Sequence, residues 1–198
     1  MAPFGSSENS STKKHLPTPN SWINQTDVPI VSYEPKIVKM INPAYQELLN
    51  KSDDSRKEIK SFLKKVRKHK QLDTIFREAH GRTFEKIDCL QCANCCKTTS
   101  PIFRDTDIRR IAKQLRIKES KFISDYLRMD EDSDYVLQKS PCSFLGSDNE
   151  CSIYEYRPLA CREYPHTNRK YMHQVLDITE KNANICPAVA DIVFQLMG

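Results

Sequence analysis

The sequence predicts an α+β fold, mostly helical: a small, irregular, metal-stapled, cysteine-rich domain with short strands, preceded by an N-terminal helical hairpin. Three observations lead there. All eight cysteines fall between Cys89 and Cys186. Helical apolar periodicity flanks that region on both sides, and the stretch from 134 to 178 breaks into short β-prone pieces separated by turn residues. Apolar residues make up 38% of the chain, below the globular average, so only a modest core can form and a staple gains value.

Residues 1–39 hold five of the eleven prolines, many Ser, Thr and Asn, and little periodicity. Such a segment buries too little surface to offset chain entropy, and a disordered leader is expected. It contains no arginine, which argues against a transit peptide. Met40-Ile-Asn-Pro reads as a natural beginning, so one reading starts translation at Met40 and leaves the leader untranslated.

Residues 40–84 read as a basic helical hairpin, helical from Pro43 to about Gly81. Ile59, Phe62, Leu63 and Val66 recur at helical spacing, and Leu72, Ile75 and Phe76 continue the apolar face. Ser52-Asp-Asp54 is a candidate N-cap with acids at the positive end of the helix dipole. Between Arg56 and Arg82 ten Lys or Arg stand against three Asp or Glu. A nucleic-acid face is one reading; a solvated basic face is preferred, because no aromatics interleave the charges. The net charge of +5 tolerates an anionic partner without demanding one.

Residues 85–198 form the expected cysteine-cluster domain. One helix opens near Arg104, with Asp105 or Thr106 as cap and Ile108, Ile111 and Leu115 on one face. A second begins near Glu119 with Phe122, Ile123, Tyr126 and Leu127 inward. The pair could be a helix-turn-helix reading DNA, but Arg116 stands where such turns often place glycine. A helical hairpin packing on the cysteine region is preferred. Tyr135–Leu137, Cys151–Tyr154 and Val175–Ile178 read as strands too short to form a self-sufficient sheet. Pro187–Met197 reads as a closing helix with proline in its first turn.

The cysteines carry the chemistry. Cys89, Cys92, Cys95 and Cys96 put four thiols into eight residues. A CxxC turn lets two sulfurs converge while intervening N–H groups offset thiolate charge. Two consecutive steps deliver three sulfurs from one loop, a pattern that wraps iron–sulfur clusters, with a distant fourth cysteine often followed by proline. Cys186-Pro187 suits that fourth role, although Cys142, Cys151 and Cys161 also qualify. Cys96 should project away from Cys95, serving either a second centre or none. Single buried cysteines can instead be small hydrophobes, which remains an alternative for Cys142, Cys151 and Cys161. No apolar run approaches the ~20 residues of a membrane span and no secretion signal is evident, so a reducing cytoplasmic setting and metal rather than disulfides are expected.

Cys89-x2-Cys92-x2-Cys95-Cys96, Cys142-Ser-Phe-Leu, and the run from Cys151 through Arg157-Pro158 and Cys161-Arg162 to Pro165 resemble the CxxCxxCC (YkgJ-type) cysteine-cluster family of bacteria. The likeness spans about residues 85–190. It implies zinc or iron chelation, and a related module occurs in flagellin lysine N-methylase, which is associated with an iron–sulfur cluster. Metal ligands are expected at all eight cysteines, with an iron–sulfur cluster or Zn/Fe ions as cofactor. Arg157 and Arg162 are the candidate cofactor-binding residues, placed to offset thiolate charge; His166 is a weaker ligand candidate. No catalytic residue can be named and no protein partner is indicated. A methyltransferase-like enzyme is the alternative by analogy, but four glycines without a G-x-G pattern do not suggest a Rossmann nucleotide site.

Overall fold

The computed structural model describes residues 41–198. The leader expected at 1–39, and with it the reading of Met40 as a start, lies outside the described residues. In chain order the elements are α1 (Pro43–Asp54), α2 (Arg56–Val66), α3 (Leu72–Phe84), α4 (Cys89–Cys92), α5 (Asn94–Thr98), α6 (Asp105–Leu115) and α7 (Glu119–Tyr126). These are followed by β1 (Leu127–Met129), β2 (Tyr135–Leu137), α8 (Leu159–Glu163), α9 (Leu176–Ala183) and α10 (Pro187–Met197). The described chain is thus mostly helical with one small antiparallel sheet, in which Leu127 pairs with Leu137 and Met129 with Tyr135.

Three helices stand where the sequence suggests two. α1 starts at Asn42, whose side chain accepts the Ala44 N–H at 3.0 Å, with proline in the first turn. It runs through the expected cap at Ser52 to Asp54. Ser52 is instead fully buried and donates to Asn184 Oδ1 at 3.1 Å, so the break falls at Ser55. The apolar stripe of α2 and α3 is real, and Ile59, Leu63, Leu72, Phe76 and Ala79 are buried by it. They pack against Leu176, Val189, Ile192 and Val193 of α9 and α10 in one apolar cluster, so helices from both ends of the described chain share a core.

Val175–Ile178, read from sequence as a strand, is the start of α9, with Val175 as N-cap. Its alternation is too short to tell a half-buried strand from one helical turn, and burial against α2 selects the helix. The entry to α9 is held by Asp73 in the first turn of α3. Its carboxylate accepts the N–H groups of Tyr171 and Met172 at 2.8 and 2.9 Å. Burial opposes the charge on Asp73, but these two amides and the nearby His173 and Arg77 together hold its pKa below the ordinary carboxylate value. The stabilisation is therefore present above the unfolded carboxylate pKa and lost as pH falls through the folded one. Asp73→Asn is expected to cost about 1 kcal/mol at neutral pH, reduced by exposure, and almost nothing in acid. Urea melts at both pH values check this.

A second apolar cluster gathers Phe103, Ile108, Ile111, Phe122, Leu127, Leu137, Phe144 and Ile153. α6 and α7 bury their apolar faces here, and the turn between them is made by Arg116 in the left-handed region, φ 56°. The expected cap at Asp105 or Thr106 moves to Arg104, whose N–H is accepted by Asp107 at 3.2 Å. Leu127, expected at the end of the α7 helix, instead opens β1, where the chain turns back on Tyr135–Leu137. Cys151 makes one antiparallel bridge with Leu145 and then enters a 3-10 turn over Tyr154–Tyr156, rather than a strand. None of the helices among the described residues is long and apolar enough to cross a membrane.

Candidate metal centre

The Cys89–Cys96 run folds as two short helices hinged at one residue. Asp88 caps α4 by accepting the Leu90 N–H at 2.9 Å, while its own N–H donates to the Tyr45 hydroxyl at 3.1 Å. Ala93 then adopts the left-handed conformation, φ 48° and ψ 21°, and turns the chain into α5. The following amide, Asn94 N–H, points back at Cys92 Sγ at 3.5 Å, as the sequence logic of a CxxC turn requires. Lys97 Nζ closes the loop from the other side, donating to the Cys92 carbonyl at 2.8 Å. Cys95 and Cys96 are successive positions of α5, about 100° apart around the axis. Their sulfurs nevertheless lie 4.0 Å from each other, so Cys96 does not project away from Cys95 as the spacing suggests, because both side chains lean to the same side of this one-turn helix.

The distant cysteines arrive along separate routes. Cys142 donates its backbone N–H to the Cys96 carbonyl at 2.8 Å. Leu145 N–H returns to the Cys142 carbonyl at 3.0 Å and Ser152 N–H to the Phe144 carbonyl at 2.9 Å, so residues 142–152 form a hairpin presenting Cys142 and Cys151. Both cysteines pack against the α6–α7 cluster. Pro158 caps α8, and Cys161 follows it by one turn, its N–H on the Pro158 carbonyl at 3.0 Å. The segment before α8 is gripped by α6. Asp107, 1% exposed, accepts the Leu159 N–H at 3.2 Å and pairs with Arg110 at 2.6 Å; Arg110 in turn donates to the Arg157 carbonyl at 3.0 Å.

Cys186 sits at the N-cap of α10 with Pro187 in the first turn. It packs with Cys92, Ile87 and Ala188 in a third apolar cluster and also against the first, whereas Cys142 and Cys151 pack in the second. Asn94 ties this segment to the opening loop by donating its side-chain amide to the Ile185 carbonyl at 2.7 Å. Sequence reasoning missed Asn94 and Asp107, since no spacing rule marks a residue whose partner is fifty or more positions away.

Electrostatics follow the same division. Burial raises the thiols of Cys142, Cys161 and Cys186 to about 11, 12 and 11. Amides of Phe144 and Leu145 act against burial at Cys142, as Ile153 does at Cys151 and Val189 and Ala188 do at Cys186. These are the N–H groups that support a thiolate once a metal has displaced its proton. The Cys95 and Cys96 thiols hydrogen-bond each other, which lowers Cys96 to about 7 with help from Lys97 and raises Cys95. The Tyr164 hydroxyl is buried without an oxygen or nitrogen partner and faces the sulfurs of Cys186, Cys95 and Cys92.

Arg157 stacks on the Tyr154 ring at 3.6 Å, near enough to Cys151 and Cys161 to pull their burial-raised pKa values back. Arg162 is exposed on α8. His166 has a left-handed backbone and a buried, unpartnered Nδ1, and burial lowers its pKa.

Among the described residues no group of three Cys, His, Asp or Glu side chains stands ready-made as an ion cage. All eight cysteines are free thiols. Eight soft thiol donors, several with supporting backbone amides, fit a thiophilic metal such as zinc or iron. This is the class of small helical proteins built around cysteine metal chelation. The chain belongs to the CxxCxxCC family, described as "Putative zinc- or iron-chelating domain", which it matches over residues 88–187. No curated protein and no solved structure matches it.

Proposed function

We propose that this protein is a metal-binding module in which Cys89, Cys92, Cys95, Cys96, Cys142, Cys151, Cys161 and Cys186 hold zinc or iron through thiolates, and that the metal serves chiefly as a structural staple. The observation that carries the reading is where the sulfurs lie. Cys92 and Cys186 belong to one apolar cluster and Cys142 and Cys151 to another, and the sulfurs of Cys95 and Cys96 lie 4.0 Å apart. Residues 138–158 have one bridge and one 3-10 turn in place of regular elements, anchored by Phe144 and Ile153 in the second cluster. A metal would add cohesion to that irregular segment. Arg157 beside Cys151 and Cys161 offsets part of the anionic charge of such a site.

The triple-sulfur loop also accommodates an iron–sulfur cluster with a redox role. Anaerobic purification of the full chain, followed by iron, zinc and acid-labile sulfide analysis and a visible spectrum, separates the cases. Colourless protein carrying zinc supports thiolate zinc; brown protein with iron and sulfide places the family's metal role in redox chemistry. Protein that binds neither metal under reducing conditions sinks the reading altogether.

A further inference from the structure

We infer that the eight thiols divide into two four-sulfur metal centres, Cys89, Cys92, Cys95 and Cys186 in one, Cys96, Cys142, Cys151 and Cys161 in the other. The inference rests on the metal-binding reading above and adds to it the number of ions and the ligands of each.

The doubled cysteine is where the division is made. Sulfurs on one zinc, at Zn–S of about 2.3 Å, stand about 3.8 Å apart. The 4.0 Å separation of Cys95 and Cys96 alone would therefore suit a single shared ion. Their other neighbours decide otherwise. Cys95 lies within electrostatic reach of Cys186 and Cys89, and Cys186 within reach of Cys89 and Cys92. Cys96 lies within electrostatic reach of Cys142, Cys151 and Cys161, and Cys161 within reach of Cys142 and Cys151. Cys96 does reach Cys89 and Cys92 as well, so electrostatic reach by itself does not sort it.

Backbone geometry does sort it. The Cys96 carbonyl is bonded to the Cys142 N–H at 2.8 Å, which draws the 142–151 hairpin to the Cys96 side of α5. The Asn94 side chain is bonded to the Ile185 carbonyl at 2.7 Å, which draws Cys186 to the other end of the loop. Apolar packing gives the same sorting independently: Cys92 and Cys186 share the cluster with Tyr45 and Ile87, and Cys142 and Cys151 share the one with Ile153 and Phe144. The buried Tyr164 hydroxyl lies within electrostatic reach of Cys186, Cys95 and Cys92, all from the first set. Each set then contains four thiols, the number a closed structural zinc site takes, and since neither set is yet gathered into a cage the side chains would have to close on the ion. With 4.0 Å between the sulfurs of Cys95 and Cys96, the two ions would stand no more than about 9 Å apart.

The test uses the full chain, reduced and metal-free, titrated anaerobically with zinc. Native mass spectrometry should show two zinc ions per chain at saturation. At one equivalent of zinc, iodoacetamide labelling with peptide mapping should show protection moving through the cysteines in two groups of four, as divided above. Cadmium loading should give two NMR signals, both typical of four-thiolate coordination. Cys186→His and Cys161→His, which keep a ligand, should each retain two ions and shift only one of the two cadmium signals. Cys186→Ser and Cys161→Ser should each drop to one. Saturation at a single ion, or protection of Cys95 and Cys96 in the same group, overturns the division while leaving metal binding intact. No bound zinc or cadmium at all overturns the proposed function itself.

Discussion

Stripped of metal under reducing conditions, the full chain is expected to lose amide protection across residues 88–104 and 138–167 while α3 and α10 keep theirs. Structural zinc supplies on the order of 10 to 16 kcal/mol of apparent binding free energy in small peptides. A whole domain is stable by only ~5 to 15 kcal/mol. The segments named carry little regular structure: α4, α5 and α8 are each five residues or shorter and the 142–152 hairpin has one bridge, which leaves the burial of Phe103, Phe144 and Ile153 and the Asp107–Arg110 grip to hold them without metal. α3 and α10 differ. Phe76, Val189, Ile192 and Val193 are completely buried against each other in a cluster containing no fully buried cysteine. Burial on that scale stabilises without a metal, at about 1.5 to 3 kcal/mol for each large apolar side chain. Hydrogen exchange with and without chelator, read by peptide, resolves the two regions. Unchanged protection at 138–167 after demetallation would remove the staple; equal loss in α3 and α10 would show that the two regions unfold as one.

Asp107→Ala should lower stability by about 2 to 3 kcal/mol and loosen the Cys161 end of the site. Removing one partner of a buried ion pair costs about 3 to 5 kcal/mol, and Arg110, 30% exposed in its side chain, keeps some solvation and lowers that figure. The loss has three parts: the Arg110 pair, the cap on Arg104 and the acceptor for Leu159 N–H. At roughly 2 to 4 °C per kcal/mol for a chain of this size, the melting temperature of the metal-bound protein should fall by roughly 4 to 12 °C. Arg110 carries the grip onward to the carbonyls of Tyr156 and Arg157, so the segment that presents Cys161 loses both supports together. Chelator competition should show faster loss of metal in the variant. The double variant Asp107→Ala with Arg110→Ala should cost less than the sum of the two single changes, because the residues act through one contact. Additive costs would mean that the pair does not work as a unit.

Much of the helical frame was legible in the sequence. The stripes of Ile59, Leu63 and Phe76 and of Val189, Ile192 and Val193 are strong periodic signals, and Pro187 marks the start of α10 where its missing N–H costs nothing. Short segments were less legible. Val175–Ile178 alternates over too few residues to choose between strand and helix, and Ser52 has a good cap composition but a buried hydroxyl bonded to Asn184. In each case a partner more than a hundred positions away made the choice, and local composition has no access to it.

The same distinction runs through the cysteines. Spacing alone shows that this chain concentrates thiols in the pattern of its family and that three of them leave one loop; it misled on Cys96, whose sulfur lies 4.0 Å from that of Cys95 instead of projecting away from it. Only the tertiary structure ties particular distant cysteines to the opening loop. That choice is made by a handful of long-range bonds, Cys142 N–H to the Cys96 carbonyl, Asn94 to Ile185, and the Asp107–Arg110 grip on residues 157–159. A CxxC turn is local because its two sulfurs are joined by four residues of chain. The fourth ligand is joined only by the way the whole core packs.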